Sequence, residues 1–294
     1  MPDSTKVSSL LFRLKDNFLI LLFLVPALLY LFAFLVVVFT YLFSQSFSSG
    51  LPILALWKDP EFGKALVRTL WFVGLGTPLQ LLAGLVLALL IYKSFIGVGA
   101  IRSVFMLPIA IPALVTAITL NILFSYPFGH INDLLLGRHA FFPQLSETPI
   151  NWGGSQFLSL VLALLGKVWR DMPISMLIIL AGLQSIEKEE YEAAQTLGAS
   201  TWQQFKYITL PLLTPAIMTV LILRSIECWK EFIFPFVIAP SYPILGVLIE
   251  RLYHAEQNPQ AGAAVALLLV VLIALTAGAF TYAAKVVRTR LIRV

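Results

Sequence analysis

The chain has one cysteine in 294 residues, Cys228. No disulfide can form within it, and a thiolate metal site has no second ligand. Histidine is as scarce. His130, His139 and His254 stand at none of the spacings that hold zinc. Charge is thin as well: Asp, Glu, Lys and Arg make up 12% of the residues, against about 25% in a soluble domain. No Gly-x-x-x-x-Gly-Lys-Ser/Thr run occurs, so no P-loop for ATP can be read here. No Ser/His/Asp set has the strand–turn–helix context of a nucleophile, and the dispersed glutamates make no cleft acid pair. Together these absences speak against a cytosolic enzyme and a disulfide-framed secreted domain. Neither a metal nor a bound cofactor is expected on this chain.

What the sequence has is apolar length. Hydrophobic residues make up 59%, and mean hydropathy is +0.91. A soluble fold of this size could not hide so much apolar surface, so the bilayer is the natural solvent. A spanning helix needs about 20 mostly apolar residues. Six segments qualify, at about 18–43, 66–92, 104–125, 157–183, 212–239 and 261–287. The first is too long for the apolar stretch of a signal peptide and has no small-residue cleavage site behind it. Pro26, Pro78, Pro108, Pro112, Pro173 and Pro215 fall in or at the ends of these segments. The run "LPIAIP" at 107–112 predicts a kink or a local unwinding. With no internal repeat and no linker, residues 1–294 read as one domain: an all-α membrane protein of six transmembrane helices.

Orientation follows from Lys and Arg near the segment ends. Lys6, Arg13, Lys15, Lys93, Arg102, Lys188, Lys206, Lys285, Arg288, Arg290 and Arg293 fall on one side. Lys58, Lys64, Arg68, Arg138 and Arg251 fall on the other. Both termini are therefore expected in the cytoplasm, with 184–211 inside and 126–156 outside. The net charge of +5 reads as membrane topology rather than nucleic-acid binding. The outer segment 126–156 is of mixed character and suits a short helix and turn over the mouth.

The loop 184–211, "QSIEKEEYEAAQTLGASTWQQFKYITLP", stands out. Glu187, Glu189, Glu190 and Glu192 outnumber Lys188 and Lys206, although acidic residues weigh little in topology. Ser185 is placed to cap a helix that opens with acidic residues. Tyr191, Ala194 and Leu197 make a short apolar stripe, and Gly198 ends that helix. A second helix, 201–208, is expected to stop before Leu210-Pro211. Such an amphipathic pair outside the membrane fits a groove on a partner protein. Its acidic face disfavours lying on an anionic inner leaflet.

Charge also falls inside the membrane. Lys167, Arg170 and Asp171, with Ile174, sit at i, i+3, i+4 and i+7 of the fourth segment. Arg224, Glu227, Cys228 and Glu231 repeat that spacing in the fifth, with Lys230 on the flank. Each set shares one helix face. Ionisable groups at membrane depth cost at least about 2.5–3.5 kcal/mol, so both faces should turn inward. Gln80 and Asn121 add neutral polar groups on the second and third segments. One reading is a salt-bridge network that locks the bundle, with Arg224–Glu227, Lys230–Glu227 and Arg170 to an acid across the interface. The other is a hydrated solute path. Trp71, Trp169 and Trp229 read as packing or interface residues.

The inner loop resembles the EAA loop of ATP-binding-cassette importer permeases. That pattern is Glu-Ala-Ala, three residues, Gly, nine residues, Ile, one residue, Leu-Pro. Here it is filled by Glu192-Ala193-Ala194, Gly198, Ile208 and Leu210-Pro211. "VWRDMPISMLIILAGLQSIEKEEYEAA" and "YHAEQNPQAGAAVALLLVVLI" resemble the carbohydrate branch, the maltose, glycerol-phosphate and trehalose permeases. Two departures stand beside the match: Leu197-Gly198-Ala199 where that branch usually has Asp-Gly-Ala, and "APSYP" at 239–243 where it often has Gly-Gly-Pro.

The resemblance implies an importer permease bundle with a cytoplasmic coupling-helix loop. Glu192, Ala193, Ala194 and Gly198 would couple it to an ATPase. Lys167, Arg170, Asp171, Arg224, Glu227, Cys228 and Glu231 would line the substrate pathway. With Lys230 these side chains sum to one net positive charge, which suits a sugar, polyol or related polar solute, including an acidic one. ATP and Mg would bind on the partner. The partners implied are a homologous second permease, two ATPase subunits and an extracytoplasmic solute-binding protein, in a prokaryotic plasma (inner) membrane. The alternative that the residues leave open is an ion- or proton-coupled secondary carrier, with Asp171, Glu227 and Glu231 as proton relays.

Overall fold

The computed structural model describes residues 4–47, 56–93, 95–138 and 141–291, with side chains from Leu22 to Val286. Lys6, Arg13, Lys15, Arg288, Arg290 and Arg293, which carry much of the expected orientation, and His139 lie outside the described side chains. No strand occurs among the described residues. The helices are α1 (Ser4–Phe47), α2 (Pro60–Tyr92), α3 (Val98–Ala110), α4 (Ala113–Leu123), α5 (His130–Leu135) and α6 (Gln156–Gln184). There follow α7 (Lys188–Thr196), α8 (Thr201–Gln204), α9 (Leu210–Trp229), α10 (Ile233–Ile238), α11 (Leu245–Glu250) and α12 (Pro259–Leu291). Two π-helical turns, Phe205–Thr209 and Arg251–Ala255, extend α8 and α11.

Local chemistry sets the helix starts. Asp59 caps α2, accepting from Glu61 N at 2.9 Å, and Pro60 takes the first turn, where no N–H is needed. Ser155 caps α6 through Leu158 N at 3.2 Å.

By length and apolar composition, four stretches among the described residues could cross a bilayer: Leu22–Phe47, Pro60–Tyr92, Thr201–Ile238 and Pro259–Val286. Six spans were expected; four stretches meet this test among the described residues, or five if the bent pair is one span. The third segment is α3 and α4, which meet at 91° and count only as a bent pair. Pro112 causes the bend: it lacks an N–H and drives Ile111 into extended backbone, φ −86° and ψ 130°. The fourth, α6, has 29 residues, but every window of membrane length in it holds Lys167, Arg170 and Asp171.

The bundle is built on α2, α6 and α9. At one end Ala88 and Ile91 of α2 meet Met176, Ile179 and Leu183 of α6 and Leu213 and Val220 of α9. A Cβ on Gly84 would collide with Ser175, so the glycine sets the close approach of α2 to α6. Towards the other end Phe72, Ala117, Ala163, Phe234 and Ile238 form a second cluster. A third joins Phe62, Ala65 and Trp229 to Leu245, Leu248, Ala264 and Val265. α12 packs on α9 and α11, and α1 lies against α12. The most apolar window of α1 buries no residue within the chain, and Ser46 near its end is the described residue of α1 that is buried; Phe23 and Tyr30 are exposed, as lipid-facing groups are.

The fifth segment is not one helix. It breaks at Lys230–Phe232, between α9 and α10. Pro235 explains this. It cannot donate to the Glu231 carbonyl four residues back, and its ring would strike that oxygen in a continuous helix. Glu231 thus leaves the α9 face that its spacing had given it. Its Oε1 accepts from Phe234 N at 3.2 Å.

The segment between α4 and α6 forms the expected short helix and turn. Asn132 ties it together: Nδ2 donates to the carbonyls of Ser125 and Ile150, and Oδ1 accepts from Ile150 N and Trp152 Nε1. Arg68 is buried, not loose at a segment end. Its Nε donates to Gln156 Oε1 at 3.0 Å and its Nη1 to Pro243 O at 3.3 Å, binding α2, α6 and the turn before α11.

Candidate functional site

The two charged sets meet where α6 faces the α9–α10 break. Lys167 Nζ lies 2.9 Å from Asp171 Oδ2 and 2.6 Å from Glu231 Oε2. Arg170 Nη1 lies 2.7 Å from Asp171 Oδ1. Arg224 Nη1 lies 3.0 Å from Glu227 Oε2, and 3.9 Å from Asp171 Oδ2 across the interface. Six side chains thus form one linked group of three cations and three anions. Lys230, exposed at the end of α9, makes no ion pair. A balanced group of this kind is what a low-dielectric interior tolerates, because each charge has an opposite neighbour.

The group is closed on one side and open on the other. Lys167, Asp171 and Arg224 are buried. Arg170 and Glu227 keep 28% and 32% of their side-chain surface. Arg170 pairs with its own neighbour on α6 instead of an acid across the interface, and the expected Lys230–Glu227 pair is not formed. Cys228 is buried in the core. Gln80 Nε2 of α2 donates to its Sγ at 3.4 Å, and Trp229 fills the space beside it. The structure therefore brings Lys167, Arg170, Asp171, Arg224, Glu227 and Glu231 together and sets Cys228 behind them.

Trp71 packs edge-on against Phe157 at 6.1 Å. Trp169 is half-exposed and lines a cavity of about 290 Å³ with Thr116 and Thr119.

The second feature is the helix pair α7 and α8, expected on the inner side. Helix α7 has no buried residue, and Leu197 is 88% exposed. The cap is Glu187, not Ser185. Ser185 instead closes α6, its hydroxyl donating to Gly182 O at 2.8 Å. Gly198 ends the helix at φ +79°, a conformation that favours glycine. Ser200 and Gln203 then make a reciprocal capping box that starts α8. The second helix does not stop at 208. It widens into the π turn and runs on into α9, so α8, the π turn and α9 are one rod. Pro211 is accommodated in the first turn of α9. Glu192 and Ala193 are exposed and Ala194 is half-buried.

Two structural roles were not legible in the sequence. The capping role of Glu231 depends on the break, for which Pro235 was the available signal. The buried Arg68 link depends on contacts 88 and 175 residues away.

The pattern of the family described as "Binding-protein-dependent transport system inner membrane component" matches residues 80–289. The chain is 33% identical over 183 residues to the trehalose/maltose transport system permease protein MalF of Thermococcus litoralis, covering 62% of this chain and 60% of that one. It is 32% identical over 243 residues to the sulfoquinovosyl glycerol transport system permease protein SmoG of Agrobacterium fabrum, covering 78% of this chain and 77% of that one. The fold is similar to a chain in a bacterial ABC transporter involved in the import of the acidic polysaccharide alginate. The TM-score is 0.82 at 20% identity, over 94% of this chain and 98% of that one.

Proposed function

The chain belongs to the family of binding-protein-dependent transport system inner membrane components, and from that membership we propose that it is the sugar-translocating permease subunit of an ATP-driven importer. It is a translocation subunit, not an enzyme. Membership in this family sets aside the proton-coupled carrier.

The observation that carries the proposal is the inner helix pair: the solvent-exposed α7, which bears Glu192, Ala193 and Ala194 and is ended by Gly198, and α8, which runs through the π turn into the long apolar α9. The pair supports docking on an ATPase subunit that binds ATP and Mg. A homologous second permease, a second ATPase and an extracytoplasmic binding protein complete the complex in this reading. All six helical segments then cross the membrane, α6 among them because its charges turn inward, and both termini lie in the cytoplasm. Residues 1–294 act as one domain.

In this reading Lys167, Arg170, Asp171, Arg224, Glu227 and Glu231 border the solute path, with Cys228 as packing behind it. Arg170 and Glu227 are the members open to a solute. The similar proteins named above are described as moving trehalose or maltose, sulfoquinovosyl glycerol and alginate. A sugar, polyol or related polar solute, including an acidic one, fits a group with donors and acceptors of both signs.

The test is ATPase activity of the reconstituted complex with and without solute-loaded binding protein, for wild type and Gly198→Asp. Stimulated wild type, with a mutant that fails to assemble or to couple, supports the proposal. Absence of any co-purifying ATPase, with uptake following the proton gradient, overturns it.

A further inference from the structure

We infer that the hydrogen bond between Tyr191 and Thr209 is the tie by which movement of helix α7 is delivered to helix α9. This rests on the reading that the inner loop couples to an ATPase.

Helix α7 is nearly detached from the protein. None of its residues is buried. Its other hydrogen bonds stay within the loop: Thr196 to Glu192 O, and Ala199 N to Ala194 O. The exception among the described residues is Tyr191 Oη, 3.0 Å from Thr209 Oγ1 and 18 residues away. Thr209 is buried and closes the π turn that becomes α9. Tyr191 directly precedes Glu192, so the bond starts inside the segment that would dock.

The surroundings make the bond stand out. A cavity of about 590 Å³ lies beside it, lined by Tyr92, Lys93, Leu183, Gln195, Ser200 and Phe205, among others. Packing across that space is incomplete, so α7 can shift relative to the inner ends of α2 and α6. What resists the shift is the hydroxyl pair and the backbone of 197–204. That backbone includes Gly198 in left-handed geometry and a four-residue helix. A push on α7 therefore reaches α9 by two routes, one covalent and bent, one direct. The π turn supplies the receiving end. Its i→i+5 bonding widens the helix by one residue, and such turns mark places where a helix is locally adjustable. Tyr191 and Thr209 are positioning residues in this account; neither touches solute or nucleotide.

The experiment compares Tyr191→Phe, Thr209→Val, the double variant and Thr209→Ser in the reconstituted complex with its ATPase and binding protein. Solute transported per ATP hydrolysed is the readout. Each of the first two should lower that ratio by about 2- to 12-fold, the span a single neutral hydrogen bond supports. The double variant should be no worse than either single, because one bond is lost in all three. Thr209→Ser keeps the hydroxyl and should hold the wild-type ratio. Ratios for Tyr191→Phe and Thr209→Val that match wild type in assembled complexes would overturn the inference. If Thr209→Val lowers assembly instead, rescue of assembly by Thr209→Ser without any coupling defect in Tyr191→Phe would also overturn it. Gly198→Asp separates the two levels: with it harmless the coupling reading itself fails, whereas with it uncoupled and Tyr191→Phe normal only the tie fails.

Discussion

Replacing Lys167 by Met isolates the energetics of the buried ion group. The ammonium is 2.9 Å from Asp171 and 2.6 Å from Glu231, on a side chain with 4% of its surface exposed. Methionine keeps the length and removes the charge. Asp171 retains Arg170 at 2.7 Å. Glu231 retains only the Phe234 N–H at 3.2 Å. The loss therefore falls on Glu231, as a buried carboxylate without a counter-ion, at roughly 3–5 kcal/mol. Unfolding entropy near 60 °C is about 2.1 cal/mol/K per residue. Over 294 residues this makes about 1.6 °C of midpoint shift per kcal/mol. Lys167→Met should lower the thermal midpoint of the solubilised complex by about 5–8 °C, read by tryptophan fluorescence. Adding Glu231→Gln removes the stranded charge and keeps an oxygen for Phe234 N–H. The double variant should recover to within about 1–2 °C of wild type, the residue of a lost neutral hydrogen bond. If the double variant falls as far as the single, the cost is not electrostatic. If the single falls by less than about 2 °C, the ion group does not hold α6 to the break.

Arg170→Gln should leave the midpoint nearly unchanged, because Asp171 keeps Lys167, while raising the half-saturating solute concentration by about 10-fold or more, as loss of a charged hydrogen bond does; uptake measured against solute concentration in proteoliposomes checks it. Gly246→Ala places a methyl against the Glu231 carbonyl oxygen, an overpacking worth about 1–3 kcal/mol, and should lower both the midpoint and transport. An equally stable, fully active Gly246→Ala protein would show that the break has room to relax.

Much of the bundle was readable because membrane helices announce themselves by apolar length, and each of the six segments is helical, the third and the fifth in two pieces. The bend at Ile111–Pro112 was readable from proline chemistry alone. The break after Trp229 was not foreseen, since the spacing of Arg224, Glu227 and Glu231 suited one helix and the steric demand of Pro235 acts four residues upstream. The inner loop was legible in position and in its Gly198 stop. Its caps were not, because Ser185 and Glu187 both suit a helix start, and only the path of α6 decides that Ser185 belongs to its end. Which cation pairs with which acid was likewise beyond the sequence. Arg170 had no way to declare for Asp171 beside it over an acid across the interface.

The break and the ion group explain each other. A proline in the interior of a helix forfeits a backbone bond and costs about 3 kcal/mol or more. At Pro235 that cost is met by ending α9 and starting α10 afresh. The new start needs a cap and the freed carbonyl of Glu231 needs cover. Glu231 supplies the cap with Oε1, and Gly246 lets α11 close over its carbonyl. Its Oε2 is left to take Lys167 of α6. One residue thus joins three elements at the point where the rod rising from the inner loop ends. A displacement of that rod relative to α6 must either stretch the Lys167–Glu231 pair or carry α10 with it. Because Asp171 also holds Lys167, and Arg170 and Arg224 hold Asp171, the strain spreads to Arg170 and Glu227, the two members that remain open. In this way Arg170 and Glu227, the members that the proposed function opens to a solute, are mechanically continuous with the helix that the π turn joins to α8.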